Sequence, residues 1–414
     1  MSSEDLQLID VQFSWEISPP EILWEIFRYL SSSSLFNCLF VSRRWKNVAN
    51  DYIECYGLWE KIVKDEMENY GVTYRRKSTL GWRNMLMNSK LWTYVSSAKI
   101  KRVHTYKLLD IDKVHMYQDK MILKTEQDTV HYYNVQNYEL VKVTETLNKG
   151  LDYGENDSMV VALTQIGVSQ RGLFLYGKPA PDSNMFDNKA HYVDQAFLYT
   201  LEDNICYVAT TTFVVWACTW INNKWEVRLV GRYYGSDYDR PAAIHVYNKV
   251  VYMVTKYGFV LSEITETKNF HRVFNYSIPQ HKGACKWVLF HKYNVAVAVK
   301  SKNRRVSICY DKETNHMRLE CPNMSCATEH GQVVFLGFRS GRVIICLTNK
   351  PLKKGTKPDR TLRVQDYDNT IRDPNILAIE VFEDKLSHHL LIVMKDRVVQ
   401  LLINYPPPIA ELYD

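Results

Sequence analysis

Uninterrupted apolar runs are missing from this 414-residue chain. None reaches the roughly 20 residues a membrane-spanning helix needs, and the opening MSSEDLQLID is acidic and polar where a secretory leader would be apolar. A cytoplasmic or nuclear protein without membrane contact is expected. The nine cysteines are odd in number and scattered without one C-x-x-C pair, which removes the spacing of a zinc site and of a disulfide framework. Reduced, buried thiols are the expected state. Charge of one sign is also scarce: 52 Lys and Arg against 46 Asp and Glu leave +6, with no basic run long enough to track a phosphate backbone. Nucleic acid is not an expected partner.

Catalytic signatures are absent as well. There is no Gly-rich phosphate loop, HExxH, GxSxG or metal-spaced cluster, so no catalytic residue, metal or cofactor is expected and the chain reads as a non-enzyme. The pair His388–His389 in KLSHHLL invites attention, but a histidine pair bounding a strand reads as a solvated turn.

What is present divides in two. At 46% hydrophobic, the chain can bury a sizeable core, and its length suits one small and one large domain. In PPEILWEIFRYL, residues 19–30, the apolar positions Ile22, Leu23, Ile26, Phe27 and Leu30 have the three-and-four spacing of one helix face. Pro19 and Pro20 sit where a helix start tolerates them, and Glu21 lies where the helix dipole favours a carboxylate. The serines at 31–34 offer N-caps for a second helix starting near Leu35, with Leu35, Cys38, Leu39, Trp45, Val48, Ala49 and Tyr52 as its stripe. Two short helices cannot bury both stripes against each other, so a partner surface is expected to finish them.

The stretch from Ser18 to Ile62 resembles the F-box. The resemblance rests on Pro19, Glu21, Ile22, Ile26, Phe27, Leu30, Leu35, Cys38, the VSRRW from Val41 to Trp45, and the later Leu58–Trp59; Ser18 stands where the family usually has leucine. It implies docking on a Skp-family adaptor through Pro19, Glu21, Ile22, Ile26, Phe27, Leu30, Leu35, Cys38, Val41 and Trp45, with cullin and RING subunits reached through that adaptor. Helical periodicity continues through WEKIVKDEMENYG and GWRNMLMNSKLW, read as a stiff connector.

Beyond residue 95 the period becomes that of strands. Seven short segments align on Val130, Leu173, Val214, Val260, Val306, Val343 and Val398, spaced 43, 41, 46, 46, 37 and 55 residues apart. Each follows a second strand a few residues upstream. A repeat of about 45 residues fits a four-stranded propeller blade, and the domain resembles a seven-bladed WD-type propeller, with six and eight blades left open by the long last interval. Because the triple proline after residue 404 cannot pair centrally, a strand near 99–109 is expected to close the last blade. For substrate contact the candidate is GRYYGSDYDRP, whose Arg232, Tyr233, Tyr234, Tyr238 and Arg240 combine rigid aromatic area with bidentate donors; the alternative is a tyrosine-rich loop packed on its neighbours.

The composite expectation is an α+β multidomain chain: a flexible tail over 1–14, a small all-α F-box over 15–60, a helical connector over 61–95 and an all-β propeller over 96–414. Its expected function is that of a substrate-recognition subunit of a Skp–cullin–F-box ubiquitin ligase, with a protein substrate on the propeller. The alternative is a scaffold that holds an adaptor without ubiquitin transfer.

Overall fold

A computed structural model describes residues 18–67, 80–145, 150–166, 170–178, 190–233, 241–247, 249–255, 259–264, 267–275, 285–291, 294–300, 305–309, 316–320, 323–347, 358–385 and 387–406. The expected N-terminal tail lies outside them. By its internal contacts the chain forms two units, residues 1–68 with 81–86, and residues 69–80 with 87–414.

The first unit is helical. Helix α1 (Pro20–Phe27) begins at the prolines and carries Glu21 in its first turn. Helix α2 (Ser32–Cys38) is capped by Ser31, whose hydroxyl accepts from the Ser34 amide at 3.2 Å. The single helix expected from Leu35 onward is in fact two. The chain leaves α2 at Leu39 and restarts as α3 (Arg43–Cys55), because Ser42 is extended and its hydroxyl caps the Trp45 amide at 3.2 Å. Helix α4 (Trp59–Glu66) follows. Leu23, Phe27, Ala49, Ile53, Ile62 and Val63 form the fully buried interior. Phe27 meets Trp45 and Tyr52 edge to face at 5.7 and 5.6 Å, and Trp59 donates to Glu54 at 2.8 Å. Ser18 is buried where leucine was expected, and Arg44 donates to its carbonyl.

The second unit opens with the C-terminal part of α5 (Trp82–Leu91) and a 3-10 turn at Trp92–Tyr94. Among the described residues its strands make five four-stranded sheets and one of eight. The eight-stranded sheet is two antiparallel groups of four, 196–232 and 241–275, joined by one parallel residue pair, Arg232 with Asn269. The others span 111–145, 150–194, 285–320 and 324–363, and a last group is built from three C-terminal strands and one much earlier strand. In that group Lys99–Lys107 pairs antiparallel with Arg397–Asn404, from Lys99 opposite Asn404 to Lys107 opposite Arg397. All seven aligned segments are the third strands of these groups.

The cores lie between neighbouring groups rather than within them. Met159, Leu173 and Leu175 of the second group pack with Cys206, Val208 and Cys218 of the third. Tyr106 and Val398 of the last group pack with Ile111, Met121 and Leu123 of the first. The first strand of the last group, Ala378–Asp384, also lies beside the first strand of the first, Ile111–Tyr117, so the series returns to its start. One glycine shows how closely neighbours approach: a Cβ on Gly177 would overlap the Trp220 ring, whose Nε1 donates to the Lys178 carbonyl at 3.1 Å.

Candidate docking face

The ten residues expected on the adaptor side separate by burial. Phe27, Leu35 and Cys38 are inside the helical unit; whatever they contribute to docking comes from holding the helices. Pro19, Glu21, Ile22 and Val41 are exposed, and Ile26, Leu30 and Trp45 are half-buried. Ile22, Ile26, Tyr29 and Leu30 recur at helical spacing along α1 and the turn after it. Phe40 and Val41 are exposed in the turn between α2 and α3. Ile22 keeps 46% of its surface in water, Val41 61% and Tyr29 85%. Leu23, Trp24 and Phe27 occupy the inward side of α1 and satisfy its core requirement, so the outward apolar residues are surplus to the fold. Tyr29 and Phe40 were not among the expected residues, although Tyr29 falls three positions after Ile26 and one before Leu30.

Arg28 pairs with Glu25 at 3.0 Å, and Lys64 with Glu60 at 2.6 Å, both in water. Surface pairs of this kind contribute little. Burial raises the thiol pKa of Cys38, which donates to the Ser34 carbonyl at 3.2 Å and behaves as a small core residue.

The expected substrate loop is only partly described: Tyr234, Tyr238 and Arg240 lie outside the described residues. Arg232 is exposed, but Tyr233 is buried. Its hydroxyl donates to the Thr210 carbonyl at 2.7 Å, and its ring meets Phe213 edge to face at 5.5 Å. Tyr233 is therefore a strand-unit core residue, the packed-loop alternative at this position. An open groove of about 360 Å³ elsewhere escaped the sequence reading. It is lined by His191, Tyr192, Asp194, Gln195, Thr210 and Trp216, with Tyr192 donating to Asp194 at 3.1 Å. These residues come from two neighbouring groups, so no local signal joins them.

The expectation for His388 is overturned. It is fully buried between Trp92, Glu383 and Tyr405. Its partners arrive from positions up to 296 residues away in sequence, which the dipeptide alone could not reveal. Among the described residues no group of His, Cys, Asp and Glu has the arrangement of a metal site, and no helix is long and apolar enough to cross a membrane.

Residues 19–63 match the F-box-like family, which covers α1 through most of α4. F-box domains generally bind Skp-type adaptors, so this chain carries an adaptor-binding type of module followed by a large β-rich unit. No curated protein matches the chain. Among solved structures, it is similar to the crystal structure of the computationally designed Ika8 protein, at 11% identity and a TM-score of 0.47, covering 74% of this chain and 99% of that one.

Proposed function

We propose that this chain is the substrate-recognition subunit of a Skp–cullin–RING ubiquitin ligase. The supporting observation is an F-box-like module whose interior is complete while Ile22, Ile26, Tyr29, Leu30, Phe40 and Val41 stay wholly or partly in water. An adaptor with an apolar groove would cover them as helix-in-groove recognition does, with the half-buried aliphatic residues as anchors.

The seven four-stranded groups are read as the blades of a WD-type propeller that presents a protein substrate. Closure by Lys99–Lys107 supports this reading, because a strand from the beginning of the unit supplies the fourth position of the last group and covers the outer side of Arg397–Asn404. The chain itself supplies no catalytic group. Its contribution is proximity, which raises the effective concentration of a substrate lysine near the conjugating enzyme.

The test is affinity capture from cells, comparing the unaltered chain with Ile26→Asp, Leu30→Asp. The expected result is recovery of adaptor, cullin and RING subunits by the unaltered chain, and their loss from the double variant with the strand unit still folded. Retained adaptor in the double variant refutes the docking face. Adaptor recovered without cullin or RING refutes the ligase assignment and favours a scaffold.

A further inference from the structure

Buried deep in the strand unit is a chain of four polar side chains for which the docking function has no use. Glu383 Oε1 lies 3.1 Å from His330 Nε2 and 3.3 Å from His388 Nε2, and the other nitrogen of His388, Nδ1, lies 2.6 Å from the Tyr405 hydroxyl. Glu383, His330 and His388 are all more than nine-tenths buried. His330 ends one strand of the sixth group, whereas Glu383, His388 and Tyr405 belong to the seventh, so the chain crosses the seam between two groups.

Onto this seam packs the segment that follows the helical head. Trp92 stacks flat on His388, with ring centroids 3.9 Å apart and planes 7° apart, and meets Phe335 edge to face at 5.5 Å. Asn88 donates to the carbonyls of Asp384 and Lys385 at 3.1 and 2.7 Å, and Gln332 donates to the Ser89 carbonyl. These contacts are side-chain hydrogen bonds and ring packing. The sheets beneath have complete antiparallel ladders of their own.

The donors and acceptors run in one sense. An ionised Glu383 can only accept, so each facing Nε2 carries its hydrogen; a neutral His388 then has a bare Nδ1, which accepts the Tyr405 O–H. A second proton on His388 makes Nδ1 a donor, so the Tyr405 hydroxyl, 2.6 Å away, must turn its own hydrogen elsewhere to accept, and it puts a second charge beside Glu383 in a site without solvent. Around it, the sixth group contributes Glu329 and His330, the seventh Glu383, Asp384, Lys385, His389 and Tyr405, and α5 the partly exposed Lys90. Burial lowers the His388 pKa; Glu383 favours the added proton and His330 opposes it.

We propose that Tyr405, His388, Glu383 and His330 form a proton-operated latch: with His388 neutral they hold Trp92 and residues 87–95 on the seam, and a proton on His388 releases that segment while the sheets stay paired. The physical basis is an asymmetry. The segment is also held by burial of Leu91, Trp92 and Val95 against the sixth and seventh groups, but of these Trp92 rests flat on an imidazole that can gain a charge, whereas the sheets are held by backbone ladders.

The test is hydrogen exchange with mass spectrometry on the full chain at pH 7.5 and 5.5, with labelling times scaled for intrinsic exchange. Peptides covering 87–95 should gain at least tenfold in exchange rate at the lower pH beyond any change in those covering 205–221 and 387–393. The Trp92 contribution to fluorescence, obtained by difference from Trp92→Phe, should be quenched over the same range. His388→Gln offers a non-titrating donor and acceptor in the same places and should abolish the pH effect. If that variant does not fold, Tyr405→Phe, which removes the hydroxyl that Nδ1 accepts from, should move the transition to higher pH. Unchanged protection of 87–95, its loss together with 205–221 or 387–393, or an unshifted transition in the folded variants overturns the latch.

Discussion

The phenol of Tyr106 donates a hydrogen bond to Gln400 Oε1 at 2.8 Å, although the two are 294 positions apart in the chain. Both are buried, and Gln400 also donates to the Val135 carbonyl at 3.2 Å. The contact ties the strand Lys99–Lys107 to Arg397–Asn404 and to the group that follows it. It makes the integrity of the strand unit depend on a segment at its beginning.

Tyr106→Phe should therefore destabilise the strand unit by about 1–3 kcal/mol, since it leaves a buried amide oxygen short of a donor. Deleting 99–107 should prevent a cooperative transition altogether, because it uncovers the last strand and opens the Tyr106–Val398 core. Urea unfolding followed by tryptophan fluorescence distinguishes a shifted midpoint from a lost transition.

On the helical head, burial predicts opposite outcomes for neighbouring substitutions. Ile22→Glu and Val41→Glu should leave helicity unchanged and weaken adaptor binding about 30-fold or more, the scale of an interface hot spot. Phe27→Ala should instead cost about 3–5 kcal/mol and melt the module, so its loss of binding comes with lost circular dichroism. Binding isotherms and thermal melts on the same samples separate the two.

Lys124 is buried with its ammonium 3.3 Å from Asp112 and 3.4 Å from Asp128, and its Nζ donates to the Thr125 carbonyl at 3.2 Å. Lys124→Ala removes the cation and its packing together and should cost about 3–5 kcal/mol. Lys124→Met, which keeps the shape, should cost clearly less, because the Asp partners are partly open to water. Denaturation midpoints of the two variants decide the ordering.

Acid should destabilise the seventh group. Burial pushes the His389 imidazole down to about 4, and the buried His388 imidazole is also lowered. For Glu383, burial alone would push the carboxyl up, but His330 and His388 outweigh it and hold it below the usual carboxylate range. A histidine whose folded pKa lies below its unfolded value favours the folded state fully above about pH 6.5. That contribution is lost as the pH falls toward the folded value, and the Glu383 contribution is lost only at still lower pH. Stability should be flat above about pH 7 and fall between 6.5 and 4, with His389→Phe flattening part of the slope. Urea midpoints across that range check it.

Tyr233 and Arg232 are adjacent but should behave differently. Tyr233→Phe removes the bond to the Thr210 carbonyl and should cost about 1 kcal/mol of stability, whereas Arg232→Ala should leave stability within about 0.5 kcal/mol. Unfolding curves of the two variants give the comparison.

Much of the architecture was legible in local patterns. The stripe Ile22, Ile26, Phe27, Leu30 marked α1, and strand pairs at about 45-residue spacing marked each second and third strand. The break between α2 and α3 was hidden because Leu39 and Trp45 keep an apolar count that one helix could also carry; the cap at Ser42 settles it. Burial within the head was hidden too. Ile22 and Leu23 are equally apolar and adjacent, yet one faces water and the other the core.

The sequence by itself determined the two kinds of secondary structure, the F-box resemblance and the need for a strand from the chain's early part to finish the last sheet. Periodicity and turn chemistry act over a few residues, and that is the range they can encode. Only the tertiary structure decided that Phe27 is interior while Val41 is not, that Tyr233 is a core residue, and that His388 lies under Trp92. Those facts depend on which distant segments meet across a seam, and contacts between residues almost 300 positions apart leave no mark on the local pattern of either.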